Sequence, residues 1–152
     1  LKKLLEFIAT GFYSGKLPKM PGTWGSLLGA LLVYLFWPSS YLLQSLIVAI
    51  TFLLSVISSD FMAKELSLKD PDQVVIDEIL GIEFTFLFLH AQGNFKLTLF
   101  GLLLFRIIDI MKPFPVNYFE KLPGGLGITA DDAVAGLISN VLLRVLGGVL
   151  NV

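Results

Sequence analysis

Cysteine is absent from this chain, and histidine occurs once. The first absence excludes disulfides and thiol chemistry. With a single histidine, carboxylates, lysine and arginine are left as the main reactive groups. Charge is scarce as well: 15% of residues are Asp, Glu, Lys or Arg, against ~25% in ordinary soluble domains. The net charge of −1 gives bulk electrostatics no reason to attract nucleic acid or an anionic surface. Hydrophobic residues make up 55% of the chain and the mean hydropathy is +0.82, so a bilayer is the expected solvent. A length of 152 residues fits a single domain, expected over 1–152. No small-residue cleavage pattern follows the opening LKKLLEFIATGF, which reads as retained structure and not as a secretory signal.

In that opening stretch Leu1, Leu4, Leu5, Ile8 and Phe12 recur at helical spacing beside lysines, the pattern of a helix lying in the membrane interface. SGKLPKMPGTWGS, rich in glycine and proline, reads as a loop. SLLGALLVYLFW and LLQSLIVAITFLLSVIS, joined by PSSY, form a hydrophobic hairpin. The polar SDFMAKELSLKDPDQ follows and closes on Asp70-Pro71, a helix stop and turn. A third apolar segment starts near Val74 and ends at HAQGN. A fourth runs from about Phe95 to Met111, where Pro113 ends it. KPFPVNYFEKLPGGLGIT reads as a loop, and AVAGLISNVLLRVLGGVL closes the chain. The fold expected is all-α: a compact integral-membrane bundle of about six helices, one interfacial and up to five membrane-embedded. Each segment is near or below the ~20 residues a spanning helix needs.

With five passes and the N-terminus inside, Lys2, Lys3, Lys16, Lys19, Lys64, Lys69, Lys112 and Lys121 fall on one face and Lys96 on the other. The positive-inside rule then places PGTWGS, the KDPDQ loop and the KPFP to TADD loop together at the cytoplasmic face. The acids follow the same geography. Asp77 and Glu78 are expected to open the third apolar helix, Asp109 and Lys112 to close the fourth, and Asp131 and Asp132 to open the fifth. An acid at a helix N-terminus is often only a cap or a partner for the dipole. Five acids converging at one end of a bundle repel one another unless a cation sits between them. An oxygen-only donor set, far from any Cys or His, favours Mg²⁺.

Arg106 lies i to i+3 from Asp109, which fits an ion pair. With Lys112 it also fits a phosphate cradle, a forked guanidinium beside a mobile ammonium. Metal, carboxylates, arginine and lysine together are the components of phosphoryl transfer. Other residues point elsewhere. Glu83 is as deep as Arg106 and reads as a charge that neutralises it. Arg144 reads as snorkelling or paired within the bundle. His90 falls on the side away from the acids. PGGLGI offers backbone amides to a phosphate only as a weak motif, and Gly29, Gly81 and Gly136 read as sites of close helix approach.

Four stretches, PGTWGS (21–26), DPDQVVIDEILG (70–81), FRIIDIMKPFP (105–115) and GGLGITADDAVAG (124–136), resemble in order the signature blocks of the phosphatidylglycerophosphatase A family. The resemblance implies a bacterial, Mg²⁺-dependent phosphatase of the cytoplasmic membrane, multi-pass, with its site facing the cytoplasm. It would remove the terminal phosphate of phosphatidylglycerophosphate to yield phosphatidylglycerol. It also implies helices packed around a central one. Carried over by position, it falls on Asp77, Glu78, Asp109, Asp131 and Asp132 as catalytic acids, with Asp77, Glu78, Asp131 and Asp132 as metal ligands. Arg106 and Lys112 become phosphate-binding residues, and Thr23, Asp70 and Gly125 substrate-loop candidates. Glu83, Asp60 and Arg144 lie outside the pattern. These residues are compatible with direct attack by water and with an aspartyl-phosphate intermediate. Two alternatives carry different expectations: a phosphatase for another lipid or soluble phosphomonoester, and a small transport or scaffold subunit, whose charges would be spread through membrane depth.

Overall fold

The computed structural model describes the backbone of residues 1–150 and the side chains of residues 1–147; the last residues of the expected 1–152 domain lie outside the described residues. Every regular element among the described residues is helical. In order these are α1 (Lys2–Ala9), a 3-10 turn (Ser14–Lys16), α2 (Pro21–Phe36), α3 (Tyr41–Leu66), α4 (Ile76–Phe86), α5 (Phe95–Met111), α6 (Val116–Phe119) and α7 (Gly124–Leu150). The element beyond the expected six is α6, a single turn.

Local chemistry sets several of the boundaries. Ser40 caps α3 by accepting from the Leu43 amide, and Asn94 caps α5 by accepting from the Leu97 amide at 3.0 Å. Ser67 and Lys112 close α3 and α5 in left-handed conformations. Three boundaries differ from those expected. α3 continues through the polar SDFMAKEL. The PGTWGS stretch is the start of α2, with Pro21 in its first turn, where a missing amide hydrogen does no harm. GGLGIT is the start of α7, so Asp131 and Asp132 do not open that helix but sit about 10 Å inside it, at ~1.5 Å per residue. In both glycine-rich stretches the glycines serve close packing. A β-carbon on Gly25 would stand 2.6 Å from Cβ of Val75, and one on Gly125 would stand 2.1 Å from the Val56 carbonyl oxygen.

α4 is the central helix. Nine of its eleven residues are buried, and α2, α3, α5 and α7 pack around it. It crosses α7 so closely that a β-carbon on Gly136 would lie 2.3 Å from the Gly81 carbonyl oxygen. Leu80, Ile82, Phe86, Phe105 and Leu143 fill the interior behind this crossing.

Length separates the helices. α3 and the Gly124–Gly147 stretch of α7 are long and apolar enough to cross a membrane. α4, at 11 residues, spans about 16 Å, roughly half the hydrocarbon thickness. The outward faces are apolar: Leu42, Leu46, Ile50, Leu53 and Ile57 on α3, Leu99, Leu103, Ile107 and Ile110 on α5, and Leu137, Val141 and Val145 on α7 are all exposed.

Candidate active site

The start of α2, the loop before α4, the first turn of α4, the end of α5 and the second and third turns of α7 meet around one cavity of about 270 Å³. Its walls carry seven acids, Asp70, Asp72, Asp77, Glu78, Asp109, Asp131 and Asp132, and one base, Lys112. Pro21, Gly22, Pro71, Val74 and Ile128 complete the lining. Asp77, Asp131 and Asp132 are buried, a costly state for carboxylates that are not compensated.

Asp77, Glu78 and Asp132 each offer an oxygen within 4.8 Å of the others. Asp77 Oδ1 and Glu78 Oε2 are buried and have no hydrogen-bond partner among the described residues. Asp109 faces Asp132 from α5. Acids this close, with lone pairs left open, fit a hard divalent cation, which such oxygens would ligate. The trio comes from two helices. Asp77 and Glu78 occupy the first turn of α4, and α7 brings Asp132 across because the Gly81–Gly136 crossing lets the two backbones nearly touch.

The remaining charges are arranged around this trio. Lys112 Nζ donates to Asp131 Oδ2 at 2.8 Å and pairs with Glu120 at 3.1 Å. Partial burial pulls its pKa down, but the hydrogen bond and charge of Asp131, with Glu120 behind, outweigh that and hold Lys112 above the ordinary lysine value. Asp70 stands at the exposed mouth. Desolvation by the surrounding protein pushes its carboxyl up, Lys112 opposes that, and Glu120 and Asp72 add to it. Arg106 lies behind the cavity wall: its Nη1 donates to Asp109 Oδ2 at 2.7 Å and to Ser26 Oγ at 3.3 Å. Ser26 in turn donates to the Gly22 carbonyl at 2.8 Å.

The structure thus brings Asp70, Asp77, Glu78, Asp109, Lys112, Asp131 and Asp132 to one cavity, while Arg106, Thr23 and Gly125 are not among its lining residues. Gly22, one residue before Thr23, lies so close to the acids that a β-carbon there would meet Glu78. Gly125 instead packs against α3 and donates its amide to Asp60 at 3.3 Å. Glu120, the second partner of Lys112, carried no signal in the sequence beyond lying in the loop between α5 and α7. Glu83 does not neutralise Arg106. It accepts from the Thr51 hydroxyl at 3.1 Å on another face of α4. Arg144 donates to the Leu87 and Phe88 carbonyls at the end of α4, a C-terminal cap. His90 sits beside Tyr41, at the end of α4 away from the acids.

A family model described as phosphatidylglycerophosphatase A matches residues 7–147. The chain belongs to the phosphatidylglycerophosphatase A family. Among its relatives, phosphatidylglycerophosphatase A of Escherichia coli K12 is 36% identical over 143 residues, covering 93% of this chain and 83% of that protein. Phosphatidylglycerophosphatase A of Haemophilus influenzae is 34% identical over 144 residues, covering 91% and 86%. A third relative, from Bacteroides thetaiotaomicron, is 34% identical over 148 residues, covering 91% and 90%, and carries the provisional name phosphatidylinositol-3-phosphatase. No solved structure matches the chain. All four stretches that resemble the signature blocks fall inside the matched residues.

Proposed function

We propose that this protein is a divalent-metal-dependent lipid phosphatase that hydrolyses the terminal phosphomonoester of phosphatidylglycerophosphate, giving phosphatidylglycerol and inorganic phosphate. Family membership supports the reaction class. The observation that carries the reading in this chain is the trio Asp77, Glu78 and Asp132, two of them buried and Glu78 partly so, with open carboxylate oxygens at a polar cavity. These three residues would hold the ion, and Mg²⁺ suits an all-oxygen donor set. When bound, the ion supplies Lewis-acid polarisation of the phosphoryl oxygens.

The protein's own groups divide the remaining work. Lys112 lines the cavity as a fixed positive charge and neutralises charge on the transferring phosphoryl group. Asp109 closes the α5 side and is held in place by Arg106, whose part here is to position that carboxylate. Hydrolysis forms a bond from water oxygen to phosphorus and breaks the bond from phosphorus to the headgroup oxygen. The departing alkoxide takes up a proton as alcohol.

The apolar outward faces of α3, α5 and α7 support a bundle embedded in a bilayer, with the acid cavity at the headgroup boundary. A lipid can then keep its chains in the membrane and present its phosphate to the acids. The lysine bias supports a cytoplasmic site. The chain has no native cysteine, so single reporters decide the topology: one at Lys121 is expected to label from the cytoplasm and one at Ser39 from outside. Labelling of both from the same side would overturn the orientation.

The deciding assay measures phosphate release by the purified protein, with and without Mg²⁺, from phosphatidylglycerophosphate, phosphatidylinositol 3-phosphate, phosphatidic acid and a soluble phosphomonoester. Mg²⁺-stimulated release, fastest from phosphatidylglycerophosphate, is expected. Release faster from phosphatidylinositol 3-phosphate would transfer the substrate assignment to the one that the name of the third relative suggests.

A further inference from the structure

Asp131 stands apart from the other buried acids. Its neighbour Asp132 joins Asp77 and Glu78 in the trio, and Asp131 does not. Its Oδ2 is already taken by Lys112 at 2.8 Å, so its charge is balanced within the protein. Its Oδ1 is buried without a hydrogen-bond partner among the described residues, in a residue only 5% exposed. A buried acceptor left open in a folded protein calls for a donor. Because Lys112 has met the need for charge, a neutral donor suffices.

The space beside Asp131 narrows the choice. The residue lines the acid cavity and also a second hollow of about 50 Å³, which shares Asp70 and Ile128 with the first and continues to Lys69, Glu120 and Gly124. That volume admits a hydroxylated carbon. Because Asp131 and the trio line the same cavity, an O–H next to the phosphomonoester is the group placed to reach Asp131 when the phosphate meets the trio. The headgroup of phosphatidylglycerophosphate has such a group, a free hydroxyl on the carbon adjacent to the one bearing the terminal phosphate. Phosphatidic acid has an acyl ester at the corresponding carbon and no proton to donate.

We propose that Asp131 is a specificity-determining residue that accepts a hydrogen bond from the headgroup hydroxyl vicinal to the phosphomonoester, and that it is not a metal ligand. This rests on the phosphatase reading above and adds to it the feature by which the substrate is told apart. A site built to bond a hydroxyl rejects an analogue lacking it far more strongly than an apolar pocket rejects a missing methylene, because the protein group is left unpaired.

The test compares kcat/KM for phosphatidylglycerophosphate and for its analogue with a 1,3-propanediol headgroup, which lacks only the hydroxyl. The wild-type protein is expected to favour the native lipid by on the order of 10²-fold. In Asp131→Ala the two values should converge to within about threefold, while Mg²⁺ affinity measured by calorimetry stays at the wild-type level and is lost in Asp132→Ala. Equal wild-type rates for the two lipids would overturn the inference without any variant having to fold. So would an Asp131→Ala protein that keeps the wild-type preference, or one that loses Mg²⁺ binding. An absence of phosphate release from both lipids would overturn the phosphatase reading itself, and this inference with it.

Discussion

A β-carbon on Gly22 would stand 2.3 Å from Glu78 Oε1, so the first turn of α2 rests directly on an acid of the trio. The clash is with the tip of a flexible side chain and not with backbone, so Gly22→Ala is expected to fold and to push the Glu78 carboxylate aside. Mg²⁺ affinity should fall by about 10–100-fold, the usual range when the surroundings of a ligand are disturbed. Isothermal titration with Mg²⁺ and a thermal melt check the two halves separately. Unchanged affinity would show that Glu78 is not needed at the ion.

Mutual repulsion makes a second prediction with opposite signs for activity and stability. Asp77→Asn, Glu78→Gln and Asp132→Asn each remove one charge from a trio whose oxygens lie within 4.8 Å of one another. Each is expected to lower turnover by orders of magnitude and to raise the apparent Tm in EDTA, where nothing offsets the repulsion. Melts with and without Mg²⁺ check this. The wild-type protein should gain most from the ion and the variants least.

Arg106 separates two roles that its sequence position left open. Its guanidinium is bonded to Asp109 and Ser26 and is not among the cavity-lining residues, so a second cation able to reach Asp109 should serve. Arg106→Lys is expected to keep turnover within about tenfold of wild type, while Arg106→Ala should lose up to about 3 kcal/mol of stability by orphaning a part-buried carboxylate. A folded Arg106→Lys protein with normal stability and almost no kcat would instead assign the guanidinium to the phosphate.

Gly136→Ala tests the crossing that assembles the trio. Its β-carbon would meet the Gly81 carbonyl oxygen at 2.3 Å, and because the obstacle is backbone, the helices themselves must separate. A loss of about 1–3 kcal/mol is expected, as for other overpacked cores, and Mg²⁺ affinity should fall with it because the proposed ligands come from both α4 and α7. Wild-type melting of this variant would show that the crossing has slack.

Much of this arrangement is legible in the one-dimensional chain. Helical runs, their apolar composition and the gathering of Asp77, Glu78, Asp109, Lys112, Asp131 and Asp132 at one end follow from hydrophobic segment lengths and strict alternation of direction, because a chain that reverses at each turn must return its even-numbered ends to the same place. The glycine-rich stretches went the other way. Read locally, glycine and proline break helices; at Gly25, Gly125 and Gly136 the missing side chain instead admits a neighbouring helix, a reason that exists only once the neighbour is in place. That is why α2 and α7 begin earlier than their sequence suggests, and why Asp131 and Asp132 sit inside a helix.

The division of labour among the charges was decided entirely by tertiary structure. Adjacent in sequence, Asp131 and Asp132 leave α7 about 100° apart, so one turns to Lys112 and the other to the α4 acids. Arg106 and Glu83, comparably deep by residue count, lie on different helices and find Asp109 and Thr51 and not each other. Residue type and spacing determine which charges exist and at what depth. Which of them pair, and which are left open to hold an ion or a substrate, depends on the rotation of each helix about its axis, and close packing of the whole bundle around α4 sets that rotation.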